Sequence, residues 1–144
     1  MAALERTETI LVVDDQAAVL TLMQGILTRH GYTAVLASSA GEVLQLFKTK
    51  PDVKVDLALI DIVMPRMDGL ELAEKLRQIR PELPIVYMSS YPDWRESPLV
   101  KGAAIPCIGK PFTSLTLLQL IRGMLDETSG REPSQGSKMR SASG

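Results

Sequence analysis

The chain has 144 residues, 45% of them hydrophobic and 23% charged, with a single cysteine and a formal net charge of −1. That length suits one domain with a buried core, no apolar stretch approaches the ~20 residues of a membrane span, and one cysteine excludes an internal disulfide framework or a metal site built on cysteine spacing. The charge is uneven: Arg131, Lys138 and Arg140 against Glu132 give residues 128–144 a balance of +2 and leave −3 on the body, so no basic face suited to nucleic acid emerges.

The opening, M-A-A-L-E-R-T-E, has no positive region followed by an apolar one. It speaks against a secretory signal and for a cytoplasmic location. The first apolar run, I-L-V-V at 10–13, closes on Asp14 and Asp15 and is predicted as a strand. Residues 17–30 then place Leu20, Met23 and Leu27 at helical spacing, and Gly31 follows as a C-terminal stop. Residues 33–37 supply a second strand. Ser39 and Glu42 have the spacing of a capping box ahead of Val43, Leu44, Leu46 and Phe47, and Pro51 ends that helix.

The third strand, L-A-L-I-D, ends at Asp61, and the loop I-V-M-P-R-M follows. Asp68 and Glu71 have the spacing of an N-cap and its reciprocal partner, opening a helix that stops before Pro81. The fourth strand, I-V-Y-M-S, ends at Ser89. Beyond it, Y-P-D-W-R-E-S-P carries two prolines, which predicts a short, displaced or irregular fourth helix. A fifth run, I-P-C-I-G-K, ends at Lys110. Thr113 or Ser114 caps a last helix whose Leu117, Leu118, Ile121, Met124 and Leu125 form an apolar stripe. The domain is assigned to residues 8–126, and the polar, Ser- and Gly-rich residues 127–144 to a disordered tail.

Short apolar strands alternating with helices predict an α/β, doubly wound sandwich around a parallel sheet buried on both faces. In such sheets ligands gather at the carboxyl ends of the strands. Those ends carry Asp14 with Asp15, Asp61, Ser89 and Lys110. Hard carboxylate oxygens suit Mg²⁺, which relieves the repulsion between neighbouring acids. Asp61, expected to stand exposed at the sheet edge, is a carboxylate nucleophile toward phosphorus. Ser89 and Lys110 offer a hydroxyl and a cation to phosphoryl oxygens. Taken one at a time, each group has a plainer explanation: an Asx turn or helix cap for Asp15, a turn acceptor for Asp61, a cap or solvated charge for Ser89 and Lys110. Their coincidence on one edge favours a metal-assisted phosphoryl site.

With those residues named, the chain resembles the receiver domain of two-component response regulators. The matching pieces are D-D at 14–15, D-I-V-M-P-R-M-D-G-L-E-L at 61–72, P-I-V-Y-M-S-S-Y at 84–91 and K-P-F at 110–112. The resemblance implies a five-stranded parallel sheet of order 2-1-3-4-5 in a flavodoxin-like three-layer sandwich. It implies that Asp61 accepts a phosphoryl group from a histidine kinase or a histidine phosphotransfer protein and signals to a downstream protein partner. Asp14 and Asp15 would hold Mg²⁺ with Asp61 and the carbonyl of Val63, and Ser89 and Lys110 would bind the phosphoryl oxygens. The module would turn over no substrate other than itself. A cis Lys110–Pro111 bond is an option that rests on the resemblance, the trans form being the ordinary expectation.

Two departures stand out. The family's switch couples the hydroxyl to an aromatic residue three positions before the lysine, and here that position is Cys107, a small strand residue. The fourth helix region is proline-interrupted. Both fall on the surface that the family uses for dimerisation or output, which leaves a homodimer open. The stretch M-S-S-Y-P-D looks most like receivers attached to hybrid histidine kinases. Val63 and Tyr91, two positions after Asp61 and Ser89, occupy places that in the family govern water access, and an apolar and an aromatic residue there imply slow autodephosphorylation.

Three other classes compete. A phosphatase of the haloacid dehalogenase type wants a second acid where Val63 stands. A flavodoxin-like cofactor protein needs a phosphate loop where Asp14 and Asp15 stand. A receiver-like module that binds partners without phosphorylation is the harder alternative.

Overall fold

Aliphatic runs bounded by turn residues form strands, and the apolar stripes between them form helices. The computed structural model describes residues 8–64, 68–89 and 107–128. Their order is β1 (Thr9–Val13), α1 (Ala17–Arg29), β2 (Thr33–Ala37), α2 (Ala40–Thr49), β3 (Leu57–Asp61), α3 (Gly69–Ile79), β4 (Ile85–Ser89), β5 (Cys107–Gly109) and α4 (Ser114–Thr128). The strands make one five-stranded sheet of order β2-β1-β3-β4-β5. All four pairings are parallel. This is the strand order and flavodoxin-like architecture that the resemblance implies, on the doubly wound parallel sheet that the sequence pattern predicts.

Every residue of β1, β3 and β4 is buried, the signature of a parallel sheet covered on both faces. Alternation along each strand then sorts side chains into two cores. Leu11, Val13, Ala58, Ile60, Ile85 and Tyr87 face α2 and α3, meeting Val43, Phe47, Leu72 and Leu76. Ile10, Val12, Leu57, Leu59, Val86 and Met88 face α1 and α4, meeting Met23, Leu27, Leu117 and Ile121. A fully buried Leu or Ile contributes about 1.5–3 kcal/mol. Shifting one strand by one residue would swap its two sets, so the register is strongly held.

The helix ends follow local chemistry. Gly31 takes φ 87°, with Tyr32 N–H donating to the Leu27 carbonyl and Gly31 N–H to that of Thr28. That double bond pattern is a Schellman stop, which needs a residue tolerant of the left-handed region. Ser39 Oγ accepts from Glu42 N, and the Glu42 carboxylate accepts from the N–H and hydroxyl of Ser38 rather than from Ser39. The reciprocal arm of the expected capping box is therefore shifted by one residue. Asp68 Oδ1 accepts from Glu71 N at 2.8 Å, and Thr113 Oγ1 from Thr116 N at 3.0 Å.

The last helix outruns the assigned domain end at 126 and continues through Thr128, so Glu127 and Thr128 are helical rather than part of a disordered tail. Asp126 explains the extra length. It accepts from Arg122 Nε and Nη2 at 3.1 and 2.9 Å one turn earlier, and Arg122 also reaches Glu8 at 3.2 Å. Charged pairs at that spacing hold a helix end that apolar periodicity alone would close earlier. Tyr91, the fourth helix region and residues 129–144 lie outside the described residues.

Candidate phosphoryl site at the carboxyl edge of the sheet

Because β1, β3, β4 and β5 run parallel, their carboxyl ends share one edge, and the residues closing them meet there. Asp14 is fully buried behind β1. Its Oδ1 accepts from Gln16 N at 2.9 Å, an Asx turn that feeds α1, whose N-cap Gln16 makes no side-chain cap of its own. Its Oδ2 accepts from Lys110 Nζ at 2.7 Å. The turn and the ion pair thus use different oxygens of one carboxylate. Asp15, beside it, is exposed.

Asp61 closes β3 and is 6% exposed, a correction to the expectation of an open carboxylate. Lys110 Nζ lies 3.6 Å from its Oδ2, and Val63 N approaches its Oδ1 at 3.4 Å. The backbone behind it is covered by α3: Gly69 N donates to the Ile62 carbonyl at 2.7 Å, and a Cβ on Gly69 would overlap the carbonyl oxygen of Asp61. Gly69 is the site residue that sequence reading missed. The pair D-G at 68–69 signals a turn or helix start, but nothing in it shows how close the backbone of β3 runs.

Burial pushes the Asp61 carboxyl up to about 6, Lys110 pulls against that, Asp14 adds to it, the Val63 N–H lowers it and Asp15 raises it. A desolvated carboxylate among like charges favours the protonated form unless a cation sits with it. Asp14, Asp15 and Asp61 each offer an oxygen, and the three lie within 4.8 Å of one another. Three hard, closely set oxygens, one of them exposed to water, match what Mg²⁺ takes from a protein while keeping waters of its own.

Ser89 closes β4, 1% exposed. Its carbonyl accepts from Lys110 N at 2.6 Å, which pins the lysine to the end of the neighbouring strand. The Lys110–Pro111 peptide is cis. Val63 stands at the rim, 48% exposed, and Cys107 is partly buried on β5. A groove of about 410 Å³ adjoins the site, lined by Gln16, Val19, Leu22, Lys110, Pro111 and Phe112. Lys110 is common to groove and site.

The response regulator receiver domain family matches residues 10–122. Among curated proteins, the chain is 31% identical over 130 residues to the alkaline phosphatase synthesis transcriptional regulatory protein PhoP of Bacillus subtilis, covering 90% of this chain and 53% of that one. It is 34% identical over 124 residues to the response regulator MprA of Mycobacterium sp. strain KMS, covering 85% and 53%. The chain thus spans about half the length of these relatives. Among solved structures, a CheY-like receiver domain protein from Methanospirillum hungatei superposes with a TM-score of 0.76 at 33% identity, covering 88% of this chain and all of that one. The response regulator TrrA of Thermotoga maritima, solved with Mg²⁺ and BeF, gives 0.71 at 28% identity, covering 82% and 99%.

Proposed function

This chain belongs to the response regulator receiver domain family, and on that premise we propose that Asp61 accepts a phosphoryl group from a phosphohistidine. An Asp61 carboxylate oxygen bonds to phosphorus as the P–N bond to the donor imidazole breaks, and the electron pair of that bond stays with the ring nitrogen. Asp14, Asp15, Asp61 and the carbonyl of Val63 would hold Mg²⁺, which neutralises charge on the transferring group. Ser89 donates its hydroxyl to one phosphoryl oxygen, and Lys110 leaves Asp14 and Asp61 to bind another. No separate substrate is turned over.

One observation carries this reading above the others: a single ammonium contacts two buried carboxylates of a three-acid cluster at one sheet edge. That arrangement is only partly neutralised by its own lysine and gains a reason to rearrange when a metal and an anion arrive together.

The donor is a histidine kinase or a histidine phosphotransfer protein. The groove beside Lys110, with Leu22 57% exposed at its wall, suits an apolar contact from the helix that carries the histidine. A conformational change then passes to a downstream protein partner, in a cytoplasmic setting. No helix of the described residues is long and apolar enough to cross a membrane.

Intact mass after incubation with acetyl phosphate and Mg²⁺ tests the reading. The native chain gains one phosphoryl group, and Asp61→Asn or removal of Mg²⁺ abolishes the gain. No gain in the native chain, even with a cognate kinase, would overturn the acceptor reading and favour a partner-binding module independent of phosphorylation.

A further inference from the structure

Position 107 carries no aromatic ring, but its neighbour across the sheet does. The β4–β5 ladder pairs Tyr87 with Cys107, Met88 with Ile108 and Ser89 with Gly109. Side chains alternate between faces, so Tyr87 and Ser89 share one face of β4, with Cys107 and Gly109 opposite them. Tyr87 is 1% exposed and packs in the core under α2 and α3, with Cys107 against the same cluster.

The phenol also lies within reach of α3. Burial raises its pKa, and the charged groups acting on it are Arg77, Asp68 and Glu74 of that helix and its N-cap, followed by Cys107. The N-terminus of α3 is seated on the Asp61 backbone through Gly69, with no room for a side chain between them. One ring is therefore wedged among three elements that each answer to the site: α3 through Asp61, β4 through Ser89, and β5 through Lys110. A rigid aromatic transmits displacement that a small flexible side chain would absorb.

We propose that Tyr87 is the positioning residue that couples the state of the site to β5, with the aromatic role moved across the ladder from position 107 to β4. This rests on the reading of Asp61 as the phosphoryl acceptor. When a phosphoryl group draws Ser89 and Lys110 inward, the ends of β4 and β5 shift together, and the ring passes that shift to the residue facing it.

Cys107 is the only cysteine in the chain, so its alkylation rate by iodoacetamide reports on that one place. The full chain is compared with and without Mg²⁺ and beryllofluoride, a phosphoryl mimic, with bound fluoride followed separately by ¹⁹F NMR. In the native chain, occupancy changes the alkylation rate at least threefold, and Tyr87→Phe keeps that change. Tyr87→Leu binds beryllofluoride but loses the change; Tyr87→Met, whose unbranched side chain fills irregular core gaps, serves if the leucine variant does not fold. Bound fluoride with an unchanged native rate overturns the inference alone, as does a full change in the ring-free variant. Absence of bound fluoride in the native chain overturns the acceptor reading together with it.

Discussion

Lys110 Nζ donates to Asp14 Oδ2 at 2.7 Å, joining the end of β5 to the end of β1 across the site. Asp14 is fully buried, and only 13% of the lysine side chain is exposed. Removing one partner of a buried pair leaves the other charge uncompensated, at a cost of about 3–5 kcal/mol. Lys110→Ala should lower the metal-free stability by roughly 3 kcal/mol at neutral pH on that scale. Millimolar Mg²⁺ should then restore more stability to the variant than it adds to the native chain. Urea unfolding with and without Mg²⁺ measures both, and an equal Mg²⁺ effect in the two proteins would show that the lysine does not compete for the acids.

The Asp61 carboxyl titrates near 6 when folded, against 3.8 for the ordinary group. Folding therefore favours its protonated form. Its contribution is present in full below pH ~4, falls as pH rises through about 6, and is lost above that. Without metal, Asp61→Asn should be more stable than the native chain at pH 7, by on the order of 2 kcal/mol, and the difference should vanish near pH 4. Mg²⁺ should shrink it at pH 7. A gap that widens toward acid would contradict the sign.

Gly69→Ala should be costly although it adds one methyl group to the start of a helix. The added carbon meets the backbone of Asp61 and Ile62 rather than a side chain that can swing away. Overpacking of that kind costs about 1–3 kcal/mol. The variant should also bind Mg²⁺ less tightly, because α3 must lift from the strand end that carries Asp61. Native-like metal affinity together with native-like stability would mean that the helix end yields freely.

Val63 is half exposed beside the Asp61 carboxylate. If its apolar side chain screens an acyl phosphate from water, Val63→Ser should speed phosphate loss several-fold, and the double variant with Tyr91→Ser should speed it further. Phosphate release after rapid removal of the donor gives the rates. Unchanged rates in both variants would sink the screening argument.

Much of the fold is legible in the sequence. The alternation of five aliphatic runs with amphipathic stretches carries the sheet, because strand and helix periods are local properties of the chain. Ser39 and Asp68 cap where their spacing says, since a cap involves only residues three positions apart, and of the two candidates at the last helix Thr113 takes the role. The last turn of α4 is held by Arg122 with Glu8 and Asp126, and Glu8 is 114 residues away from Arg122, so the spacing of residues in the helix does not show how far it runs past the assigned domain end.

By itself, the sequence determined which groups close each strand, and hence that three carboxylates, a hydroxyl and an ammonium reach one edge. Strand direction is enough for that inference, because parallel strands carry their carboxyl ends together. Only the tertiary structure decided how those groups share charge. It buried Asp61, which the sequence had placed in the open, by closing α3 over its backbone at Gly69. It divided the two oxygens of Asp14 between a local turn and a lysine 96 residues away. It also set Tyr87 against Cys107. Register between strands, burial and the energy of an ion pair depend on packing between distant segments, and no local pattern of residues encodes them.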